Sequence, residues 1–429
     1  MVVGYYVIRD IGMGLGNALK GISLSLDVHQ NPSLYGMDMA FSPHGSKAYV
    51  TVPSRDLLEV FDVHTGTILA RISTGQTPTG LAVNPDGSQV WVVDTSVRSI
   101  LDSVNSSSDK ANGSVSVIST RTSKVIRTIP VGIGPIDVAF SPSGATAYVT
   151  VNGVVGSGYV SVIDTSTFRT IANIVPSLAS LASAPTATAS ATSLTMRTTG
   201  ALCPSGVPDY CWYPTSVAVT PGGKEVWVSE ASTVAGHSSI AASLPGVVPY
   251  PDYVYVFSTT SYKQLASIRV GNGPYFMTMS RDGSYVYVAA KAGCEMDQIS
   301  TATLAVVATV QTPASYGCPF GVAAGTSNSI AYSVTGNDRT VDVGSEGDVL
   351  EVVNFATGLV NVHGGVGTDP VTVSVSPSNG LIYVVDAKSP AIVGLSPVSY
   401  APVSILHVSI QRAATIHGSS DKSSAIRKR

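Results

Sequence analysis

Charge is scarce in this chain: only 12% of its 429 residues are Asp, Glu, Lys or Arg, and the formal net charge is −3. Basic residues form no run before Arg427, Lys428 and Arg429 at the very end, which is too small an electrostatic footprint for nucleic acid. No apolar stretch approaches the roughly 20 residues of a membrane-spanning helix. The composition therefore predicts no nucleic-acid partner and no transmembrane segment.

Signatures of common enzymes are also missing. The sequence contains no GxSxG, HExxH or P-loop motif, and the glycines between Gly12 and Gly16 do not follow the GxGxxG spacing. The N-terminus lacks the charged head and apolar core of a secretory signal peptide. Abundant Ser, Thr, Gly, Ala and Tyr at low charge are nevertheless typical of exported β-proteins. We therefore expect a secreted, cell-surface or periplasmic protein whose signal is absent from this chain.

Seven copies of one pattern dominate the sequence. Each copy runs from an aligned Gly or Pro through a short apolar stretch to a turn such as NPDG, and then to an aromatic strand such as WVVD at Trp91. A fixed internal period indicates a repeat architecture. The copies begin at Gly36, Pro78, Pro135, Pro214, Pro274, Pro319 and Pro370.

Each copy predicts four short strands. Apolar and polar residues alternate with a period of two, as from Val160 to Asp164, and turn residues separate runs rich in Val, Ile, Thr and Tyr. Four-stranded units repeated every 40–45 residues or so are typical of a β-propeller, in which a ring of blades buries faces that one blade cannot bury by itself. The expected fold class is all-β: a propeller of seven four-stranded blades.

The pattern resembles the YVTN-type β-propeller repeat. The match is fullest in the third copy, which reads GPIDVAFSPSGATAYVTVNG from Gly134 and YVSVIDTSTFRTIANIV from Tyr159, and the resemblance spans residues 5–410. It implies a seven-bladed propeller. Members of that family include surface-layer and periplasmic proteins without an assigned reaction, and related propellers include lactonases and redox-enzyme subunits. Because one fold hosts many functions, the resemblance implies no single activity.

The two ends of the repeat region decide how the ring closes. Residues 5–10 and 19–26 read like the third and fourth strands of a blade, which predicts that N-terminal strands close the ring with the C-terminal blade. Residues 391–410 can themselves supply two outer strands for the seventh copy, and an eighth, partial blade is the alternative. We expect one monomeric domain over residues 1–410 and a C-terminal tail over 411–429.

Insertions lengthen some repeats, because the spacing between aligned starts varies from 42 to 79 residues. In a propeller, loops after the second strand and loops between blades emerge on the same face, called the insertion face below. Loops on a rigid scaffold are where function concentrates, so we expect any ligand to bind on this face. The insertions are residues 95–112, 176–212, 231–252 and 336–348.

The four cysteines form two local pairs by position. Cys203 and Cys211 bracket a short loop, whereas Cys294 and Cys318 fall on the same side of neighbouring repeats. An even count in an exported-type chain favours two disulfides, and the alternative is four buried free thiols in a cytosolic protein. A zinc site is not expected, because the spacing is not that of two CxxC pairs.

Acidic side chains end three of the second strands at one repeat position: Asp94, Glu230 and Asp386. We expect them near the mouth of the central channel, with Lys291 one residue later in its own repeat and Arg339 in an insertion. Convergent carboxylates there could hold a divalent cation, the one candidate cofactor, or act as acid and base. The alternative is that each carboxylate binds backbone amides of its own turn.

Aromatic residues gather where one blade leads into the next. Tyr213, Tyr275, Phe276 and Tyr316 could stack on a sugar or another planar ligand, and the alternative is that they wedge adjacent blades together. His237 is the only histidine within an insertion and joins them as a ligand-binding candidate.

Two functions follow from these patterns. The first is an extracellular or periplasmic propeller that binds a protein, glycan, surface polymer or small-molecule ligand through the insertion face. The second is a lactonase-like hydrolase or lyase with an acidic site at the channel mouth. The missing catalytic signatures favour binding.

Overall fold

Seven four-stranded antiparallel sheets form a ring in the computed structural model of this chain, so the protein is a seven-bladed β-propeller, as predicted. Every blade uses four consecutive strands, and its first strand packs against the first strands of the neighbouring blades. The structure describes residues 37–96, 112–153, 158–176, 212–230, 252–335, 348–367, 369–387 and 391–407.

The strands follow one another in the same order in every blade. Blade 1 contains β1 (Met39–Phe41), β2 (Lys47–Val52), β3 (Leu57–Asp62) and β4 (Ile68–Ser73). Blade 2 contains β5 (Pro78–Val83), β6 (Gln89–Asp94), β7 (Gly113–Ser119) and β8 (Lys124–Gly132). Blade 3 contains β9 (Pro135–Phe140), β10 (Thr146–Val151), β11 (Tyr159–Asp164) and β12 (Arg169–Ile174). Blade 4 contains β13 (Pro214–Val219), β14 (Glu225–Glu230), β15 (Asp252–Ser258) and β16 (Gln264–Val270).

The remaining three blades repeat that order. Blade 5 contains β17 (Pro274–Met279), β18 (Tyr285–Ala290), β19 (Glu295–Ser300) and β20 (Ala305–Gln311). Blade 6 contains β21 (Gly321–Ala324), β22 (Ile330–Thr335), β23 (Val349–Asn354) and β24 (Leu359–Gly364). Blade 7 contains β25 (Pro370–Val375), β26 (Ile382–Asp386), β27 (Ala391–Leu395) and β28 (Pro402–His407). Short 3₁₀ helices cover Pro53–Arg55, Lys291–Gly293 and Ala314–Tyr316. Among the residues described, no helix has the length and apolar character needed to cross a membrane.

Contact between blades buries one aromatic ring from the second strand of each blade. Tyr148 of blade 3, for example, belongs to one apolar cluster with Val217 and Tyr255 of blade 4. Burying a large apolar side chain contributes about 1.5–3 kcal/mol. Each of the seven rings is at most 3% exposed: Tyr49, Trp91, Tyr148, Trp227, Tyr287, Tyr332 and Tyr383.

The turns opposite the insertion face interlock from blade to blade. Gly87 and Gly283 end such turns at φ of +72° and +74°, a left-handed conformation that favours glycine. A Cβ on Gly87 would lie 3.1 Å from the ring of Pro43 in the preceding blade, and one on Gly283 would meet Pro221 in the same way. Glycine is therefore required both by the turn and by the close approach of the preceding blade.

Six of the seven outer strands carry a β-bulge, and β24 is the exception. In each of these six strands one bulged residue is an aliphatic side chain that is about half exposed. Bulges twist an unpaired edge and so hinder edge-to-edge association. The bulged residues are Leu69, Ile126, Ile171, Leu265, Val307 and Val403.

Blade 7 closes the ring against blade 1. Residues 391–407 supply both outer strands of blade 7, and Leu406 lies in one apolar cluster with Met39 and Val50 of blade 1. On the turn side, the Ser378 hydroxyl donates to the carbonyl of Gly45 at 3.1 Å. The predicted pairing of N-terminal strands with this blade concerns residues outside the described ranges, as does the C-terminal tail.

Substitutions in β28 test this closure. Leu406 is fully buried whereas its neighbour Ile405 is 52% exposed. We expect Leu406→Ala to lower the free energy of unfolding by about 2–5 kcal/mol, because it leaves a cavity between blades 7 and 1. Ile405→Ala, the matched control, should change it by about 0.5 kcal/mol or less. Urea denaturation measures both, and equal losses would contradict this placement of β28.

Candidate functional site

Loops and linkers meet on one face of the ring. The N–H of Thr95, which follows β6, donates to the carbonyl of Thr77 in the linker that leads into the same blade, at 3.1 Å. The N–H of Lys291, which follows β18, donates likewise to Gly273 at 2.9 Å. The described ends of the second-to-third-strand loops therefore lie beside the blade-to-blade linkers, on the insertion face.

Three aromatic rings meet on this face where blade 5 leads into blade 6. The ring centroids of Phe276 and Phe320 are 4.8 Å apart in a T-shaped arrangement, and that of Tyr275 lies 6.1 Å from Phe320. Lys291 Nζ lies 4.6 Å from the centroid of Phe320, within cation–π range. All four side chains are partly exposed. We call these four residues the aromatic cluster; it joins two predicted ligand-binding residues to Lys291.

The fold fixes the aromatic cluster from two adjacent first strands. Tyr275 and Phe276 lie at the beginning of β17, where the pairing with β18 shifts by one residue between Pro274 and Phe276. Phe320 directly precedes β21, and its N–H donates to the carbonyl of Val334 at 2.9 Å. Both positions are held by backbone pairing, so the rings are presented by the rigid part of the scaffold.

A disulfide reinforces the same junction. Cys294 follows the 3₁₀ helix that begins at Lys291, Cys318 lies two residues before Phe320, and the Cα atoms of this bonded pair are 4.5 Å apart. This predicted disulfide is confirmed. The other predicted pair, Cys203 and Cys211, lies outside the described residues, as do His237 and Arg339.

A cleft of about 430 Å³ opens at the end of blade 6. Tyr316 lines it from the linker that enters the blade, and Asp348, Val349 and Val362 line it from the outer strands. Three glycines complete the wall from the linker toward blade 7: Gly364, Gly365 and Gly367. Tyr316, a predicted ligand-binding residue, therefore belongs to this cleft, whereas Tyr213 is only 5% exposed beside Trp212.

The three carboxylates at the ends of second strands are all buried, at 1–3% exposure, and they belong to different blades. Asp94 accepts hydrogen bonds from the hydroxyls of Ser116 at 2.7 Å and Ser114 at 3.1 Å. Asp386 accepts one from the N–H of Asp369 at 3.0 Å. Each therefore has partners in its own blade. The described residues contain no group of three or more His, Cys, Asp and Glu side chains that could hold a metal ion.

Burial changes how two of these carboxyl groups titrate. Burial raises the pKa of Asp94 to about 6, although Ser116 and Ser114 oppose the shift by hydrogen bonding. Burial, with Asp252 nearby as the second cause, raises the pKa of Glu230 to about 8. The Glu230 carboxyl is therefore mostly protonated at pH 7, which suits a hydrogen-bonding role better than that of a general base.

Two further carboxylates, which the sequence analysis did not single out, tie first strands together. Asp38 accepts the N–H of Leu81 in blade 2, and Asp137 accepts that of Val217 in blade 4, both at 3.0 Å. Asp38 is partly exposed, but desolvation of its carboxyl group by the surrounding protein raises its pKa to about 7. The negative charge of Asp137 adds to the rise. An acidic residue among the apolar residues of a first strand was the signal that could have revealed them.

The comparisons with known proteins support the fold. No family model matches this chain, and no curated protein does. A chain of hydrazine synthase from Kuenenia stuttgartiensis is similar in structure, with a TM-score of 0.60 and 17% identity over 91% of this chain and 99% of that one. The β-propeller domain of Cps50 (Swd1) from Myceliophteria thermophila has a TM-score of 0.58 and 10% identity over 82% and 94%. At such identities the likeness shows the propeller fold and no activity.

The raised pKa of Glu230 makes a prediction about stability and pH. Because the folded-state pKa of about 8 exceeds the ordinary value of 4.5, the neutral carboxyl favours the folded state in acid, and this contribution is lost as the pH rises through 8. The free energy of unfolding of the wild type should therefore fall more between pH 6 and pH 9 than that of Glu230→Gln, whose amide stays neutral. Urea denaturation at both pH values measures the difference, and parallel declines would contradict it.

The disulfide makes a second prediction. Its partners are 24 residues apart, so removing the bond with Cys294→Ser and Cys318→Ser should lower the free energy of unfolding by about 3 kcal/mol. Non-reducing peptide mass spectrometry should find this bond, and we also expect it to find a bond between Cys203 and Cys211. Free thiols at all four positions in protein purified without reductant would contradict both bonds and the exported assignment.

Proposed function

We propose that this chain is an exported, YVTN-like propeller that binds a protein, glycan or surface polymer through its insertion face. The observation that carries this proposal is the aromatic cluster, in which three rings and one ammonium group are partly exposed at a junction reinforced by a disulfide. Aromatic side chains offer large, rigid contact area, and they are enriched among the residues that dominate binding energy.

The surroundings of the aromatic cluster support binding as well. It lies on the face that carries the unequal insertions, whereas the opposite face is built from short, similar turns that offer little shape for recognition. The Cys294–Cys318 disulfide favours an oxidising compartment, such as the cell exterior or the periplasm. The sequence resemblance to the YVTN-type repeat points the same way.

A lactonase-like hydrolase or lyase has less support. Asp94 and Asp386 accept hydrogen bonds within their own blades, and Glu230 is mostly protonated at pH 7. Acid–base catalysis instead requires two groups within reach of the same substrate atoms. A metal analysis and an activity screen with lactones, esters and polysaccharides would detect such chemistry.

Binding assays with aromatic variants test the proposal. We expect Tyr275→Ala with Phe276→Ala to weaken binding of the best ligand from a panel of glycans and purified surface polymers by about tenfold or more, because stacking area is lost. Tyr285→Ala is the matched control, since Tyr285 is also half-buried in blade 5 but begins β18 on the turn side. Glycan arrays followed by titration calorimetry give the affinities.

Equal affinity in the wild type, the double variant and the control would remove the aromatic cluster from the binding surface. Turnover of a lactone or ester that disappears in Asp94→Asn or Asp386→Asn, with folding retained, would favour the hydrolase instead.

A further inference from the structure

Glu351 in β23 is a fully buried carboxyl group, and neither of its oxygens has a hydrogen-bond partner among the described residues. A buried carboxylate without a partner is strongly unfavourable, so such a group is either neutralised or paired with a cation. Burial accordingly raises the pKa of Glu351 to about 8. The described residues of its own blade include no lysine or arginine that could pair with it.

Blade 1 shows what the same position looks like when the cation is present. In β3, Glu59 lies one residue before the partner of Tyr49. In β23, Glu351 lies one residue before the partner of Tyr332, so the two glutamates occupy equivalent positions of their blades. Arg71 lies opposite Glu59 on the outer strand, and its Nε donates to Glu59 Oε1 at 2.9 Å. The Arg71 side chain is 49% exposed and that of Glu59 is 0% exposed, so the guanidinium reaches the carboxylate from the surface.

Blade 6 has an apolar residue where blade 1 has the arginine. Val362 is the outer-strand partner of Glu351. In the other blades with a polar residue at this third-strand position, the residue opposite is polar too. These pairs are Ser116 with Thr128, Ser161 with Asn173, Tyr255 with Ser267 and Asp297 with Thr309.

The space next to Val362 is open. Val362 and Val349 line the cleft of about 430 Å³ described above, a volume within the roughly 300–1,000 Å³ of ligand pockets. Val362 faces Glu351 across the strand pair, and Val349 lies two residues before it, so all three side chains project from the same face of the sheet. The cleft therefore opens over the face of the sheet that carries the unpaired carboxyl group.

We propose that this cleft binds a guanidinium group, which pairs with Glu351 as Arg71 pairs with Glu59. Tyr316 supplies a ring at the cleft on which a planar guanidinium can stack, and Asp348 supplies a second carboxylate at its wall. The source is an arginine side chain of a partner protein or a free arginine-like molecule. The partner-protein source rests on the proposed function, whereas direct binding of the guanidinium does not.

Titration with small guanidinium compounds tests the site directly. Agmatine and an arginine-containing tripeptide are titrated at pH 9, above the pKa of Glu351, and the matched citrulline tripeptide serves as the uncharged control. We expect saturable binding of the two charged ligands and none of the citrulline peptide. Tighter binding of the arginine peptide than of agmatine would favour an arginine side chain of a partner protein as the source of the guanidinium group. Tighter binding of agmatine would favour a small molecule.

Variants show whether Glu351 is the partner. Glu351→Gln should weaken agmatine binding by about 10- to 100-fold, the loss typical of one charge-assisted hydrogen bond. Glu59→Gln, at the equivalent position of blade 1, should leave it unchanged. Val362→Arg places the guanidinium on the chain itself, so it should abolish agmatine binding and raise the melting temperature at pH 9.

Three results would overturn the proposal: no saturable binding by the wild type, equal binding of the citrulline peptide, or unchanged affinity in Glu351→Gln. Tyr275→Ala with Phe276→Ala should leave agmatine binding intact, because those rings do not line the cleft. The two sets of variants therefore test the proposed function and the proposed guanidinium site separately, and either proposal can fail without the other.

Discussion

Burial of apolar side chains between adjacent blades holds this ring together, because a single four-stranded sheet would leave both of its faces in water. One aromatic ring from the second strand of each blade fills that contact. Leu406 of the last strand packs against blade 1 and so completes the ring of contacts. The interlocking turns and the outer-strand bulges are consequences of the same constraint. They bring neighbouring blades close on one side and protect the unpaired edges on the outside.

The same contact determines what an acidic residue can do here. A carboxyl group between blades must find hydrogen-bond donors, lose its charge or meet a cation. Asp137 finds donors in the next blade, Glu230 is held mostly neutral at pH 7, and Glu59 meets Arg71. Most buried acids of this propeller are thereby explained as structural. Glu351 shares the raised pKa of Glu230, but among the described residues it has neither a hydrogen-bond donor nor a cation.

Periodicity carried most of the fold prediction. Repeat register located the strands and brought Cys294 to Cys318, because the loop after a second strand and the linker into the next blade lie on the same face. The positions of Asp94 and Asp386 were also predictable, but their hydrogen bonds were not, since the repeat does not specify the residue types at the positions that supply the donors. Glu351 was overlooked because its isolation is visible only when β23 is paired with β24 and then compared with blade 1.

Blade 6 departs from its siblings in several independent ways. Its outer strand lacks the bulge, its turn reads GTSN, its incoming linker contains a 3₁₀ helix and a disulfide, and its buried glutamate faces a valine. In a repeat protein each sibling blade is an internal control for what the scaffold alone requires. Departures that the scaffold does not require are expected at functional sites. Both the aromatic cluster and the proposed guanidinium cleft border this blade, so its linker, disulfide and unpaired glutamate fit the proposed recognition on the insertion face better than a role in the stability of the ring.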